Sequence, residues 1–159
     1  MISAIHDGPV GKLTLYSDGA ALTGLEFEDP KYPLEPAPRG DDKIIAQTRR
    51  ELDAYFAGKL KAFSVALKPS GTPFQQKVWM ALRKIPYGVT RSYGQQAQAI
   101  GSPNASRAVG LANGKNPIPI IVPCHRVIGA SGSLTGFGGG IPRKKYLLDL
   151  EQGALTLNC

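Results

Sequence analysis

The sequence predicts an α+β fold in two parts: a small antiparallel sheet with a helix, then a mostly helical half built around a helix-turn-helix. Three observations predict it. The N-terminal stretch alternates apolar and polar side chains between turn signals, the period of half-buried strands. From Thr72 onward the apolar spacing becomes helical and two capping boxes appear. The charge balance changes at the same place. Residues 1–71 carry nine Lys/Arg against ten Asp/Glu, whereas residues 72–159 carry ten against two, within a net charge of +7.

The elements follow in order. Val10–Ser17 reads as a strand, with Val10, Leu13 and Leu15 set against Lys12 and Thr14 after the turn Gly8-Pro9. Ala21–Phe27 reads as its hairpin partner across Ser17-Asp18-Gly19. Residues 28–42, with Pro30, Pro33, Pro36 and Pro38, read as a surface loop. Ile44, Ile45, Leu52, Tyr55 and Phe56 stand near helical spacing, and Gly58 stops that helix. Phe63–Leu67 reads as a last short strand, and Lys68-Pro69-Ser70-Gly71 as a linker between domains 1–69 and 72–159.

In the second half, Thr72-Pro73-Phe74-Gln75 opens a helix with a capping box and a proline at its first position. Phe74, Val78, Trp79 and Leu82 form its core stripe, and Pro86-Tyr87-Gly88 ends it. Ser92-Tyr93-Gly94-Gln95 repeats the box and starts a short helix to about Ile100. Gly101 makes a turn, and Ser102-Pro103 starts another helix that ends near Gly114. Helix, glycine turn, helix is the layout of a helix-turn-helix. Small residues line its second helix (Ala105, Ala108, Gly110, Ala112), with Arg107 the one long cation among them. Such a surface suits close approach to another helix or to a DNA groove.

Composition narrows the function. No apolar run approaches the roughly 20 residues that span a bilayer. The first residues lack the layout of a signal peptide, so the chain is expected in the cytoplasm. Two cysteines (Cys124, Cys159) and two histidines (His6, His125), widely spread, make no zinc pattern, and no metal or other cofactor is expected. A basic half beside a neutral half fits a polyanion, or simply a solvated basic surface. Within that half, Pro123-Cys124-His125-Arg126-Val127 places a thiol next to an imidazole, after an apolar run and before a glycine-rich stretch. A thiol is a weak nucleophile until a base takes its proton, and an imidazole is such a base.

These residues carry a resemblance. Ile121-Val122-Pro123-Cys124-His125-Arg126-Val127-Ile128, preceded by Ser106-Arg107-Ala108-Val109-Gly110 and Asn116-Pro117, is similar to the O6-alkylguanine-DNA alkyltransferases, the methylated-DNA–protein-cysteine methyltransferases. Ser92-Tyr93, Gly138-Gly139-Gly140, Lys144 and Leu147-Leu148-x-Leu150-Glu151 fall in the family's order and spacing. The match covers about residues 72–152, and the first 71 fit the family's N-terminal domain in outline. The resemblance implies an RNase H-like N-terminal domain and a winged-helix-like DNA-binding domain. It implies a protein that binds duplex DNA and is a monomer when free, with clustering on DNA left open. It flips an O6-alkylguanine (or O4-alkylthymine) and moves the alkyl group irreversibly to Cys124.

The resemblance also assigns residues. Cys124 is the nucleophile, His125 its base through a water, and Glu151 orients the imidazole. Tyr93 donates to guanine N3, and Asn116 ties the helix-turn-helix to the active-site loop. Arg107 fills the gap left by the flipped base. Ala105, Ala108, Gly110, Ser92, Lys115 and Arg126 join it as DNA-binding residues. The base pocket takes in Val127, Phe137, Gly138 and Lys144, with the carbonyls of Cys124 and Val127 and the N–H of Gly138 as recognition groups. Lys84, Arg91, Lys115, Arg126, Arg143 and Lys144 are the phosphate-contact candidates. Phe137 stands where many members have Tyr, and Gly138 where some have Ser. The zinc ligands of some relatives are missing, and Cys159 has no role in the pattern. Two rival readings remain: a non-catalytic binder of alkylated DNA, which Cys124 opposes, and a transcription regulator using the helix-turn-helix alone.

Overall fold

The computed structural model describes residues 1–134 and 137–153, and the chain divides into two units, Met1–Ser70 and Gly71–Cys159. In the first unit, strands β1 (Ile2–Gly8), β2 (Gly11–Ser17) and β3 (Leu22–Glu26) form an antiparallel sheet in that order. Leu15 lies opposite Ala4 on one side and Leu25 on the other, so one face of the sheet is apolar. Helix α1 (Lys43–Phe56) covers it with Ile45, Leu52, Tyr55 and Phe56. Asp42 caps α1 by accepting from the Ile45 N–H at 2.8 Å, and its other oxygen accepts from the Ser17 hydroxyl.

Both edges of this sheet are blunted, which limits pairing with other chains. The proline-rich loop runs beside β1, where the Ser3 N–H donates to Pro38 and the Gly40 N–H to Ser3. On the β3 edge, the strand expected at Phe63–Leu67 shrinks to a single parallel bridge, Leu22 to Leu67. The reason lies in Glu51 of α1. Its carboxylate accepts from the Ser64 N–H, the Ser64 hydroxyl and the Val65 N–H, so those groups turn toward the helix.

The second unit is mostly helical. Helix α2 (Pro73–Leu82) begins with the Thr72–Gln75 capping box, and α3 (Tyr93–Ala99) with the Ser92–Gln95 box. After Gly101, whose φ of 76° suits glycine, comes α4 (Ser106–Gly114). It starts later than the Ser102-Pro103 pattern predicts. Ser102–Ala105 closes on itself as a turn, the Ala105 N–H donating to the Ser102 carbonyl, and Ala105 precedes the helix with no side-chain cap.

Three polar contacts lock the helices together inside an apolar core. The Trp79 indole N–H donates to the Ala112 carbonyl at 2.9 Å, joining α2 to α4. Gln96 and Asn113 exchange side-chain amide hydrogen bonds of 3.1 and 2.8 Å, joining α3 to α4. Both amides are buried, and each satisfies the other. A two-residue strand, β4 (Arg91–Ser92), pairs in parallel with β5 (Val127–Ile128). That pairing sets the start of α3 beside the segment that follows Cys124. Helix α5 (Ile141–Glu151) completes the unit, burying Leu147, Leu148 and Leu150.

Candidate active site

The site grows from the chain between α4 and β5. That stretch, Ile118 to Val122, is buried, and Ile120 holds a φ of 74°, a conformation a β-branched residue rarely adopts. Asn116 holds the loop closed. Its amide donates to the Val122 carbonyl at 2.8 Å, and its carbonyl accepts from the Ile118 N–H at 2.9 Å. The same side chain hydrogen-bonds the Cys124 sulfur. Cys124, His125 and Arg126 follow in one short 3-10 turn, all buried.

That turn faces α5. The His125 Nε2–H donates to Glu151 Oε2 at 2.6 Å. Arg126 clasps the same carboxylate, with Nε on Oε1 at 2.7 Å and Nη2 on Oε2 at 3.1 Å, while Nη1 donates to the Ile85 carbonyl. Lys144, about two turns before Glu151 on α5, donates its ammonium to the Val127 carbonyl and lies 5.8 Å from the centre of the Tyr93 ring. Gly110 of α4 rests against that ring, where an added Cβ would sit 3.6 Å away. Gly138 passes close to the end of α4. A Cβ there would stand 3.1 Å from the Gly114 carbonyl oxygen.

Electrostatics define the resting state. Burial pushes the Cys124 thiol up to about 11, against the hydrogen bond from Asn116 and the charge of Lys144. Burial likewise holds the His125 imidazole below its ordinary value, although Glu151 pulls the other way. Burial also favours a neutral Glu151, but hydrogen bonds and charge from His125 and Arg126 overcome this and bring its carboxyl down to about 2. The ground state is therefore a thiol, a neutral imidazole and a carboxylate. An ionised carboxylate only accepts, so the imidazole proton sits on Nε2. Nδ1 is then an unprotonated acceptor, buried and without a hydrogen-bond partner among the described residues.

With this geometry in view, the comparisons with known proteins decide the family. Residues 73–153 match the model described as 6-O-methylguanine DNA methyltransferase, DNA binding domain. Residues 1–69 match that family's ribonuclease-like domain. The chain belongs to the 6-O-methylguanine DNA methyltransferase family. It is 56% identical over 147 residues to the methylated-DNA–protein-cysteine methyltransferase of Mycobacterium tuberculosis, covering 92% of this chain and 89% of the relative. It is 50% identical over 153 residues to that of Methanosarcina acetivorans, covering 95% and 98%. Among solved structures, Mycobacterium tuberculosis OGT in complex with DNA superposes with a TM-score of 0.90 at 54% identity, over 96% of this chain and 94% of that one. The α+β class expected from the sequence agrees with these matches.

The structure gathers Cys124, His125, Glu151 and Asn116 into one buried cluster, with Tyr93, Val127 and Lys144 around it. On α4, Arg107 and Ala108 are exposed, Gly110 is half-buried, and Leu111 shares the outer face at 57% exposure. Lys115 follows, exposed, and Ser92 and Ala105 are half-buried. Ser92 is engaged as the α3 cap. Phe137 is half-buried.

Two expectations are corrected. Arg126 is no DNA-phosphate contact: it is 7% exposed, and its guanidinium is spent on Glu151 and the Ile85 carbonyl. Lys144, at 1% exposure, is likewise turned inward and leaves the list of phosphate candidates. A cation next to a catalytic-looking motif reads as a DNA contact, because sequence spacing does not reveal which face of a turn meets α5. Lys84 is exposed, and Arg91 and Arg143 are half-buried. Among the described residues no group of acidic, histidine and cysteine side chains could hold a metal ion. No helix among them is long and apolar enough to cross a membrane. Cys159 lies outside the described residues.

Proposed function

We propose that this protein repairs duplex DNA by moving the alkyl group from O6 of a flipped guanine, or O4 of a thymine, to Cys124, once per molecule. The observation that carries the reading is the buried Cys124–His125–Glu151 arrangement, with Nδ1 of the imidazole left as the free base, in a chain of this family. The curated relatives named above are methylated-DNA–protein-cysteine methyltransferases, and one solved neighbour is held on DNA.

The step is an in-line displacement. The Cys124 sulfur forms a bond to the alkyl carbon as the bond from that carbon to O6 breaks. The thiol proton passes to His125 Nδ1, directly or through one water, and Glu151 steadies the imidazolium. The purine leaves as an O6 anion and regains guanine by taking a proton at N1, so the proton lost by sulfur balances the one gained by the base. A hydroxyl donated by Tyr93 to N3 spreads the developing charge, and the nearby Lys144 ammonium adds a positive field. A thiol with a pKa near 11 is inert at rest, so bond formation waits for a seated lesion.

The outer face of α4 supplies the DNA contact: Arg107 fills the space of the extruded nucleotide, and Ala108 and Gly110, with Ala105 just before the helix, keep that surface slim enough for a minor groove. Lys115, Lys84, Arg91 and Arg143 meet phosphates, Ser92 lies beside them, and Val127, Phe137 and Gly138 line the base pocket. We place the work in the cytoplasm, by a protein that is a monomer when free of DNA. The test is an oligonucleotide carrying O6-methylguanine labelled on the methyl, followed by peptide mapping. One label per protein on Cys124 is expected, and none with Cys124→Ala, which still binds the duplex. Label that stays on the DNA, or a Cys124→Ala protein that still removes it, would refute the reading.

A further inference from the structure

The Glu151 carboxylate has two partners where orienting a histidine needs one. Arg126 takes both of its oxygens, leaving the His125 N–H to share Oε2. We propose that Arg126 is a positioning residue whose guanidinium neutralises Glu151 and so keeps His125 unprotonated, ready as the base, before the lesion arrives. This rests on the reading of Cys124 as the alkyl acceptor, and adds a fourth member to Cys124, His125 and Glu151.

The argument is one of charge. A buried carboxylate with only an imidazole beside it draws a proton onto that imidazole, because an uncompensated buried charge is costly. An imidazolium cannot accept the thiol proton. With Arg126 in place the carboxylate is already paired, and the imidazole remains neutral while still donating Nε2–H. The other groups facing His125 act in the same direction or not at all. Lys144 on the α5 side opposes a second positive charge, and neutral Cys124 carries none. From the segment after α2 come the Ile85 carbonyl, which fixes the guanidinium, and the Tyr87 ring, 5.8 Å from it. Three hydrogen bonds to three acceptor oxygens, two of Glu151 and one of Ile85, hold Arg126 as a planar fork, a geometry lysine cannot reproduce.

The chain has two histidines, so imidazole-labelled protein gives a simple NMR titration in which His6 is the internal control. In wild type, His125 is expected to be neutral at pH 7 with its proton on Nε2. In Arg126→Gln its midpoint rises by about one pH unit or more, and the acid limb of alkyl transfer to Cys124 rises with it. Arg126→Lys, which cannot hold both oxygens at once, gives a smaller rise of both. A merely structural role would lower stability and leave the midpoint in place. If Arg126→Gln does not fold, Arg126→Lys carries the test. A His125 midpoint unmoved in the folded variants, or an imidazolium in wild type at pH 7, overturns the proposal. The titration needs no DNA. Absence of transfer in wild type would therefore sink the alkyl-acceptor reading, whereas normal transfer with an unmoved midpoint sinks this one alone.

Discussion

Asn116→Ala tests how the nucleophile is held in place. The side chain satisfies two buried backbone groups, the Val122 carbonyl and the Ile118 N–H, on residues with no exposed surface. Truncation to Ala strands both, and each stranded group costs about 1–3 kcal/mol. The sum is about 2–6 kcal/mol, a large share of the roughly 5–15 kcal/mol that holds a domain folded. It also removes the hydrogen bond to the Cys124 sulfur, so the thiol becomes harder to ionise. Urea unfolding read from the fluorescence of Trp79, the single tryptophan, should show the midpoint fall without a change in slope. The transfer rate at Cys124 should fall in the fraction that remains folded. Asn116→Asp separates the two effects. Its carboxylate still accepts from Ile118, but sets an anion near the sulfur, so transfer suffers more than the backbone does. A loss of stability under about 1 kcal/mol for Asn116→Ala would refute the reasoning, because the loop would then be held by something else.

Acid should loosen the second unit. Glu151 has a folded pKa of about 2, below an ordinary carboxyl, so its contribution is complete above about pH 4.3 and is lost as pH falls toward 2. It is worth on the order of 3 kcal/mol. His125 is also depressed, so the unfolded chain takes up its proton first and stability declines as pH drops below about 6.5. Both act with one sign. A melting temperature that is flat from about pH 6.5 to 4.5 would contradict the histidine, and one that is flat from about pH 4.3 to 2 would contradict the carboxylate. S-methylation of Cys124, 5% exposed, overpacks the site and should lower the melting temperature of the reacted protein, by about 1–3 kcal/mol of stability. An unchanged melting curve would show that the pocket already has room. Arg107→Ala should slow transfer from duplex DNA while leaving transfer from free O6-methylguanine base untouched. Equal rates on duplex would remove the extrusion role.

How much of this was legible beforehand differs from element to element. The two capping boxes are complete local statements, a hydroxyl and an amide three residues apart, and both helices begin where the boxes stand. Ser102-Pro103 has the look of a helix start, yet no helix begins there, because the turn consumes the Ser102 carbonyl and α4 starts at Ser106. The strand β1 carries little signal of its own, since Ile2–Gly8 has a weaker alternation than the strand it pairs with. The Gln96–Asn113 exchange was invisible too, because either amide alone reads as a surface residue.

The sequence by itself determined the two-part α+β plan, the basic second half, the Cys-His pair and the family. All of these depend on residues near one another in the chain, or on motifs in a shared order. Only the tertiary structure decided which charges face inward. Nothing in the residues beside them marks Arg126 and Lys144 as buried, and they are internal partners because α5 packs against the turn holding Cys124. Proton affinity follows from that burial and pairing, which are properties of a neighbourhood assembled from distant segments, so the resting state of the thiol and the imidazole could be stated only once those segments had met.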